Sequence, residues 1–584
     1  MPPKKPARKA KQATVTDVNA SFTQEAFEKE LKDLRSKAKE ETWARWGQEQ
    51  ATVYLRSLVL IALAAVYANV SELTLSPVYG SIPVSLWHNK LIVASLFVGW
   101  ACNLHLGRLV PIRLSYVLPI IAFYIPAAQF YLFKVSATLT AYQGPFITEL
   151  LTVVPLVIFS VACTANYLEG ADLSGLPGFI RDAAPGITSY GYYKLVESLS
   201  GKFLAQHIGS TVFCTRVVLE TVLSTSYALF APSKYLVLAL PALLHTAFFN
   251  THVMTPMAAQ SLNSTLTANK WLLVDRKESS TGYISVVDSL ENGYRVMRAD
   301  HSLLGGEWIR FKGKRVAEPI YGVFTMLEAV RLVETPEPIV DTEAEALVIG
   351  LGIGTLPAAL VAHGVDTTVV EIDPVVYEFA AKYFQLPSNH TAVVADAITY
   401  TEELVNKSDS RFDYIVHDVF TGGAEPVPLF TLEFLQNLHT LLKPNGVVAI
   451  NYAGDFMLPP PKIVVQTIRE VFPSCRIYRE NPRDDAVIEE EKRDFTNMVI
   501  FCTKAEGPVK FRKITAADML QSRTRELFLP PRYEVTEKDF RASGEVQTLR
   551  NNDTAALEKW HEKSALGHWE VMRTVLPDIV WEGW

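Results

Sequence analysis

The chain has 584 residues, too many for one ordinary core, and 49% of them are hydrophobic, with 20% charged. With a mean hydropathy of +0.14 that share is high for a soluble protein of this size, and it predicts a membrane-embedded part. A net charge of −7 gives no reason to expect a nucleic-acid partner, and the 5 cysteines (102, 163, 214, 475, 502) form no C-x-x-C pair, which argues against structural zinc, any other metal and a disulfide framework.

Residues 1–50 open with a basic arm in which Lys4, Lys5, Arg8, Lys9 and Lys11 precede the first acid, Asp17. No apolar core with a cleavage site follows, so the arm is expected to be solvated rather than a cleaved signal. Lys and Glu at helical spacing, with Phe22, Phe27, Leu31 and Leu34 on one side, then predict an amphipathic or juxtamembrane helix with Trp43 and Trp46 near an interface.

Between 51 and 260, apolar runs near the ~20 residues needed to cross a bilayer recur at about 52–71, 90–106, 113–133, 146–166, 210–231 and 234–254. About six spans are expected, in a multi-pass protein whose partner is the lipid bilayer. The flanking Lys and Arg put the arm, Arg108, Arg113 and the 167–209 segment on the cytosolic side, and an even count returns the C-terminal half to the cytosol. Arg216 and Glu220, one turn apart, read as an ion pair that satisfies itself. His245 and His252 share a helical face without the partners a haem or metal needs. The Gly- and Pro-rich stretch 167–190 is expected as a loop, with an interfacial amphipathic helix after it.

Residues 271–340 alternate with period two and carry turn signals, as a small β-rich domain does. Next, 346–373 (ALVIGLGIGTLPAALVAHGVDTTVVEID) reads as strand, glycine turn, helix and strand, half of a nucleotide-binding sheet. Gly350, Gly352 and Gly354 let the backbone come close to a ligand, and Glu371 at the end of the second strand is placed for two ribose hydroxyls. The G-x-G-x-G spacing with V-E-I-D fits S-adenosylmethionine and its relatives better than a dinucleotide. Asp396, in Ala395-Asp396-Ala397, closes the next apolar stretch and can accept from an adenine amino group. A further strand ends at Asp418.

At this point the chain resembles the spermidine synthase family, the polyamine aminopropyltransferases, over roughly 271–504. The resemblance rests on V-E-I-D-P at 370–374, A-D-A at 395–397, an Asp ending the fourth strand, and A-E-P with L-F-T before Phe434. It implies a Rossmann-like α/β domain of the S-adenosylmethionine-methyltransferase type over 341–504, behind the small β-domain and the helical membrane region. It implies Asp418 as the group that takes the proton from the attacking amine, with Glu371, Asp396 and Ala397 holding the nucleoside. Tyr321 keeps the tyrosine of the family's Y-H-E, and Thr421 stands where a second acid holds the amine. The implied co-substrate is decarboxylated S-adenosylmethionine or S-adenosylmethionine, without a metal. The implied acceptor is a small-molecule amine, and a homodimer is compatible.

Aminopropyl transfer is the leading expectation. Methyl transfer from S-adenosylmethionine is the alternative, since the glycine loop, Glu371 and Asp396 serve it equally. A non-catalytic membrane protein with a nucleoside-binding domain is the third reading. The extension 505–584 carries no functional expectation, but Trp569, Trp581 and Trp584 are expected to pack on the catalytic domain.

Overall fold

A computed structural model describes residues 24–175, 177–311, 316–407, 412–419, 426–541 and 547–584. The first element is one unbroken helix, Gln24–Tyr79, which joins the expected amphipathic segment to the first apolar run. Only Gly47 interrupts its good helix formers before Pro77 in the last turn, so nothing breaks it earlier. Gly80, at φ 85°, then reverses the chain into Ser81–Ala101.

Among the described residues, three helical stretches are long and apolar enough to cross a membrane: Trp43–Tyr79, Ser81–Ala101 and Ser136–Leu168, the last with a break at Thr152. The expected six full-length spans are therefore not what the helices give. Leu118–Phe133 and Arg216–Phe230 have 16 and 15 residues, and Leu240–Phe248 has 9. An apolar run in sequence does not show where a helix ends. The predicted loop 167–190 also shrinks, because a helix starts at Gly178 and runs to His207 with Pro185 inside it. That helix packs on the first, where Asn69 Nδ2 donates to Glu197 O and Ser200 Oγ, both at 2.8 Å. The Asn69-Val70-Ser71 sequon is thereby buried inside the bundle.

Arg216 and Glu220 do not pair. Arg216 reaches out of the bundle to Glu278 (3.2 Å) and Asp300 (3.7 Å) of the β-domain, and its Nε donates to Leu73 O at 2.8 Å. His245 and His252 also separate, since the helix stops at Phe248. His252 stacks on Trp584 at 4.5 Å while His245 packs on Phe130 and Tyr131.

The β-domain is an antiparallel sheet in the order β1 (Trp271–Ser279), β2 (Gly282–Ser289), β3 (Tyr294–Ala299), β4 (Ser302–Trp308). Its strands end at Trp308, earlier than the expected 340, because Val323 to Val333 join the core under the main sheet.

The main sheet has eight strands in the order β12-β10-β11-β9-β8-β5-β6-β7. Five are parallel: β5 (Glu345–Ile349), β6 (Asp366–Glu371), β7 (Thr391–Val394), β8 (Phe412–His417) and β9 (Leu442–Asp455). An antiparallel edge of β10 (Ser474–Arg479), β11 (Phe495–Thr503) and β12 (Tyr533–Glu534) completes it. Along β5, Ala346 and Val348 enter one core while Leu347 and Ile349 enter the other, so the sheet is covered on both faces. This is the expected Rossmann-like fold of the S-adenosylmethionine-methyltransferase type.

One cysteine expectation is overturned: Cys475 and Cys502 face each other across β10 and β11 and form a disulfide, while Cys102, Cys163 and Cys214 are free. Spacing could not reveal this, because register alone makes them neighbours.

The C-terminal segment ties the two halves together. From the helix His561–Val575, Trp569 Nε1 donates to Val78 O (3.0 Å) and Arg573 donates to Ser136 Oγ (2.9 Å). Arg298 donates to Pro77 O at 2.9 Å and also to Val580 O. Trp569, Trp581 and Trp584 are buried as expected, but at the junction with the helical region and not on the catalytic domain alone.

Candidate active site at the carboxyl edge of the sheet

Parallel strands bring their carboxyl ends to one edge, and ligands bind beyond it. Along that edge lie Asp396 after β7, Glu371 ending β6, the glycine loop after β5, Asp418 after β8 and Asn451 late in β9. All of them line one cavity of about 600 Å³. Its remaining walls are Asp300 to Leu304 of the β-domain, Tyr321, the antiparallel edge at Glu480 and Asn497, and His568 and Met572 of the C-terminal helix. Ser81, at the start of the second helix, closes one corner.

The glycine loop works differently from the sequence expectation. Gly350 and Gly352 have φ of 88° and 53°. A Cβ on Gly350 would stand 2.2 Å from Asp418 O, and one on Gly352 would stand 2.6 Å from Leu304 O. These glycines are needed chiefly so that the loop can lie against two neighbouring backbones, one on each side of the cavity.

Glu371 is nearly buried, and its carboxylate accepts from Leu351 N (3.0 Å) and Asp373 N (2.9 Å). Burial raises its pKa, and these backbone donors oppose that rise. Asp396 is exposed and accepts from Ile398 N at 3.0 Å, which fixes the turn that buries Ala397. Asp418 is pushed up to about 6 by burial, partly offset by Asn451, whose Nδ2 donates to its Oδ1 at 2.8 Å. It thus changes charge near the pH at which proteins work. Asp300, also raised by burial, is held in check by Arg216. His568, brought down to about 4 by burial, is neutral.

Tyr321 lines the cavity with its hydroxyl buried and without a hydrogen-bond partner among the described residues. Thr421 lies outside the described residues. The structure therefore brings Gly350, Gly352, Glu371, Asp396, Ala397, Asp418 and Tyr321 to one cavity. Gly354 stands behind it, where its Cβ would meet Leu386. Sequence reasoning missed Asn451, Glu480, Asn497 and the C-terminal wall. Asn451 alone carried a signal, as a polar residue late in an apolar strand of the parallel set. No group of three or more His, Cys, Asp or Glu among the described residues is arranged to hold a metal.

The spermine/spermidine synthase domain family matches residues 327–481. Across 542 residues the chain is 45% identical to the N-terminal histidine N-methyltransferase of Emericella nidulans, an alignment that spans 90% of this chain and 96% of that one. The chain belongs to that methyltransferase's family. Membership accounts for the helical half and the C-terminal wall as well as the sheet, and it makes the chain a transferase. Two other likenesses are partial. The eEF1A lysine and N-terminal methyltransferase of Xenopus laevis is 31% identical over 34% of this chain and 27% of its own length. The polyamine aminopropyltransferase of Vibrio vulnificus is 35% identical over 23% of this chain and 44% of its own. The methyltransferase family thus embraces nearly the whole molecule, and the polyamine likeness only part of the sheet domain.

Proposed function

We propose that the protein transfers the methyl group of S-adenosylmethionine to a nitrogen of an N-terminal histidine on a polypeptide acceptor. The observation that carries this reading is the 45% identity to the Emericella nidulans enzyme over 90% of the chain. It displaces aminopropyl transfer from decarboxylated S-adenosylmethionine, which rests on a likeness to 23% of the chain.

The cavity suits the donor. Glu371, fixed by two backbone amides, faces the ribose, Asp396 the adenine, and the loop at Gly350 and Gly352 leaves room for the rest. The acceptor nitrogen attacks the methyl carbon, the carbon–sulfur bond breaks with its electron pair going to sulfur, and S-adenosylhomocysteine leaves. Asp418, oriented by the Asn451 amide, takes the proton from the ring's other nitrogen, whose N–H turns acidic as the methylated ring becomes an imidazolium. A carboxylate poised near pH 6 is mostly ionised at pH 7 and still basic enough to help.

The helical half supports a membrane setting, since Phe97, Leu109, Phe179, Ile187, Phe213 and Leu229 are large apolar side chains exposed on it. We place the catalytic half on the non-cytosolic side. Three full-length stretches are an odd number, and a disulfide persists in oxidising compartments. This replaces the cytosolic placement that an even count implied, and protease digestion of sealed vesicles checks it: the catalytic half should be protected.

Mass spectrometry tests the reaction. The full chain is incubated with a peptide that begins with histidine and with each sulfonium donor in turn. Methylated first residue with S-adenosylmethionine is the expected product; an aminopropylated amine made only from the decarboxylated donor would restore the polyamine reading.

A further inference from the structure

The cavity wall holds five carboxylates, Asp300, Glu371, Asp396, Asp418 and Glu480, and no lysine or arginine among the described residues. Arg216 pairs with Asp300, and Glu371, Asp396 and Asp418 have places in donor binding and proton transfer. Glu480 is left over, with no basic partner among the described residues.

Sheet order fixes where it lies. From the adenine end the edge runs β7, β6, β5, β8, β9, β11, β10, so Glu480, directly after β10, stands on the far side of Asp418 from the nucleoside. Three strand steps separate β8 from β10, about 14 Å between backbones. Two acidic side chains and a histidine between them can bridge that span.

Glu480 is also held in place. Its Oε1 accepts from Val323 N at 3.0 Å and its Oε2 from Asn497 Nδ2 at 2.8 Å. Both donors are neutral, so the carboxylate is fixed in position and has no cationic partner among the described residues. Two buried oxygens on the same cavity have no hydrogen-bond partner among the described residues, the Tyr321 hydroxyl and Asn451 Oδ1. Glu480 lies close enough to Tyr321 to help keep its phenol protonated. A fixed carboxylate with waiting oxygen acceptors complements an ammonium, which brings three N–H donors and one positive charge, and it repels an anion.

We propose that Glu480 is the subsite for the protonated α-amine of the acceptor's first residue, and so the reason an N-terminal residue is selected. This rests on the methyl-transfer reading for the identity of the acceptor. A free α-amine titrates near 7.7–8.0 and an imidazole near 6.5, so at neutral pH the amine is the charged nitrogen. The ring then supplies a neutral nucleophilic nitrogen, with the N–H of its other nitrogen toward Asp418. An internal histidine, whose nitrogen is an amide, offers Glu480 one N–H and no positive charge.

The test is calorimetry on the full chain loaded with S-adenosylhomocysteine. The probes are a short peptide beginning with histidine and the same peptide with imidazolepropionyl in place of that histidine. Wild type is expected to bind the amine-bearing peptide about 10- to 100-fold more tightly, and Glu480→Gln to bring the two within about 2-fold. Affinity for S-adenosylhomocysteine should be unchanged in the variant, which shows that it is folded, and Glu480→Asp should restore part of the preference. Wild type binding both peptides alike, or Glu480→Gln keeping the preference, overturns the subsite whether or not methyl is transferred. A preference that depends on Glu480, in a chain that transfers no methyl, upholds the subsite and overturns the transfer reading.

Discussion

The two halves of the cavity are built in different ways. The donor wall comes from consecutive loops of one parallel sheet, at Gly350, Glu371, Asp396 and Asp418, each a short step along the chain from the last. The acceptor wall gathers Ser81 from the helical region, Leu303 from the β-domain, Tyr321 from the segment after it, Asn451 from β9, Glu480 and Asn497 from the antiparallel edge and His568 from the C-terminal helix. A local wall can be shared by families with different chemistries. The dispersed one needs the whole chain, and the methyl-transfer reading therefore assigns acceptor choice to it.

The sharpest way to break this comparison is at Asp418, where the walls meet. Asp418→Asn should cut turnover by about 10² to 10⁴-fold while affinity for S-adenosylhomocysteine stays nearly intact. In the wild type, kcat/KM should rise with pH between about 6 and 6.5, as Asp418 and then the acceptor imidazole lose their protons, and fall above about 8 as the acceptor's α-amine does; the variant should lose only the Asp418 part of the rise. Stability runs the other way. The folded pKa of about 6 exceeds the ordinary 3.8, so the native state binds the extra proton and this residue's contribution falls as pH climbs from about 4 to about 6. Melting curves on both proteins across that range read the difference; coincident pH–rate profiles would remove Asp418 from the proton transfer.

Next in size is the packing behind the acceptor wall, at a residue that does not itself line the cavity. Trp581 is fully buried, stacks on His301 at 4.2 Å and donates to Leu576 O at 3.1 Å. Trp581→Ala should cost ~3–5 kcal/mol of stability. Below its melting temperature it should raise KM for the peptide more than it weakens S-adenosylhomocysteine binding. Equal losses on both ligands would show that the walls are not separable.

The smallest change is on the donor wall. Asp396 is exposed, and one exposed hydrogen bond to the nucleoside is worth ~1 kcal/mol. Asp396→Ala should therefore weaken S-adenosylhomocysteine by roughly 5- to 10-fold in calorimetry and leave the peptide preference untouched.

What could be read from the sequence follows the same division. The βαβ unit around 346–373, the acid ending β6, the acid after β7 and Asp418 all lie in short segments where apolar period and glycine spacing determine structure, and all were legible. Glu480 was not, because its neighbour Val323 is far away in sequence and only the antiparallel return of β10 brings them together. The disulfide was hidden for the same reason of register. Arg216 misled because a partner one turn away is the local answer, while the actual partners, Glu278 and Asp300, belong to another domain. The helix count failed where breaks such as Thr152 and the late start at Gly178 are decided by packing. Trp569, Trp581 and Trp584 announced burial but not the surface they would meet.

The first helix has a consequence of height and phase. Its apolar part, Trp43–Tyr79, has 37 residues, ~55 Å at 1.5 Å per residue, against a hydrocarbon layer of ~30 Å. Its last turn is gripped by Arg298, Trp569 and the cavity's C-terminal wall, so the rod cannot slide relative to the site. In a bilayer, whatever part of that length stood beyond the lipid at the Tyr79 end would hold the cavity mouth at a fixed height. On the proposed membrane setting and acceptor, the helix would act as a ruler for how far above the membrane the acceptor's first residue stands. One residue added midway along it would swing the mouth by ~100° about the rod, whereas seven would raise it ~10 Å and leave it facing almost the same way.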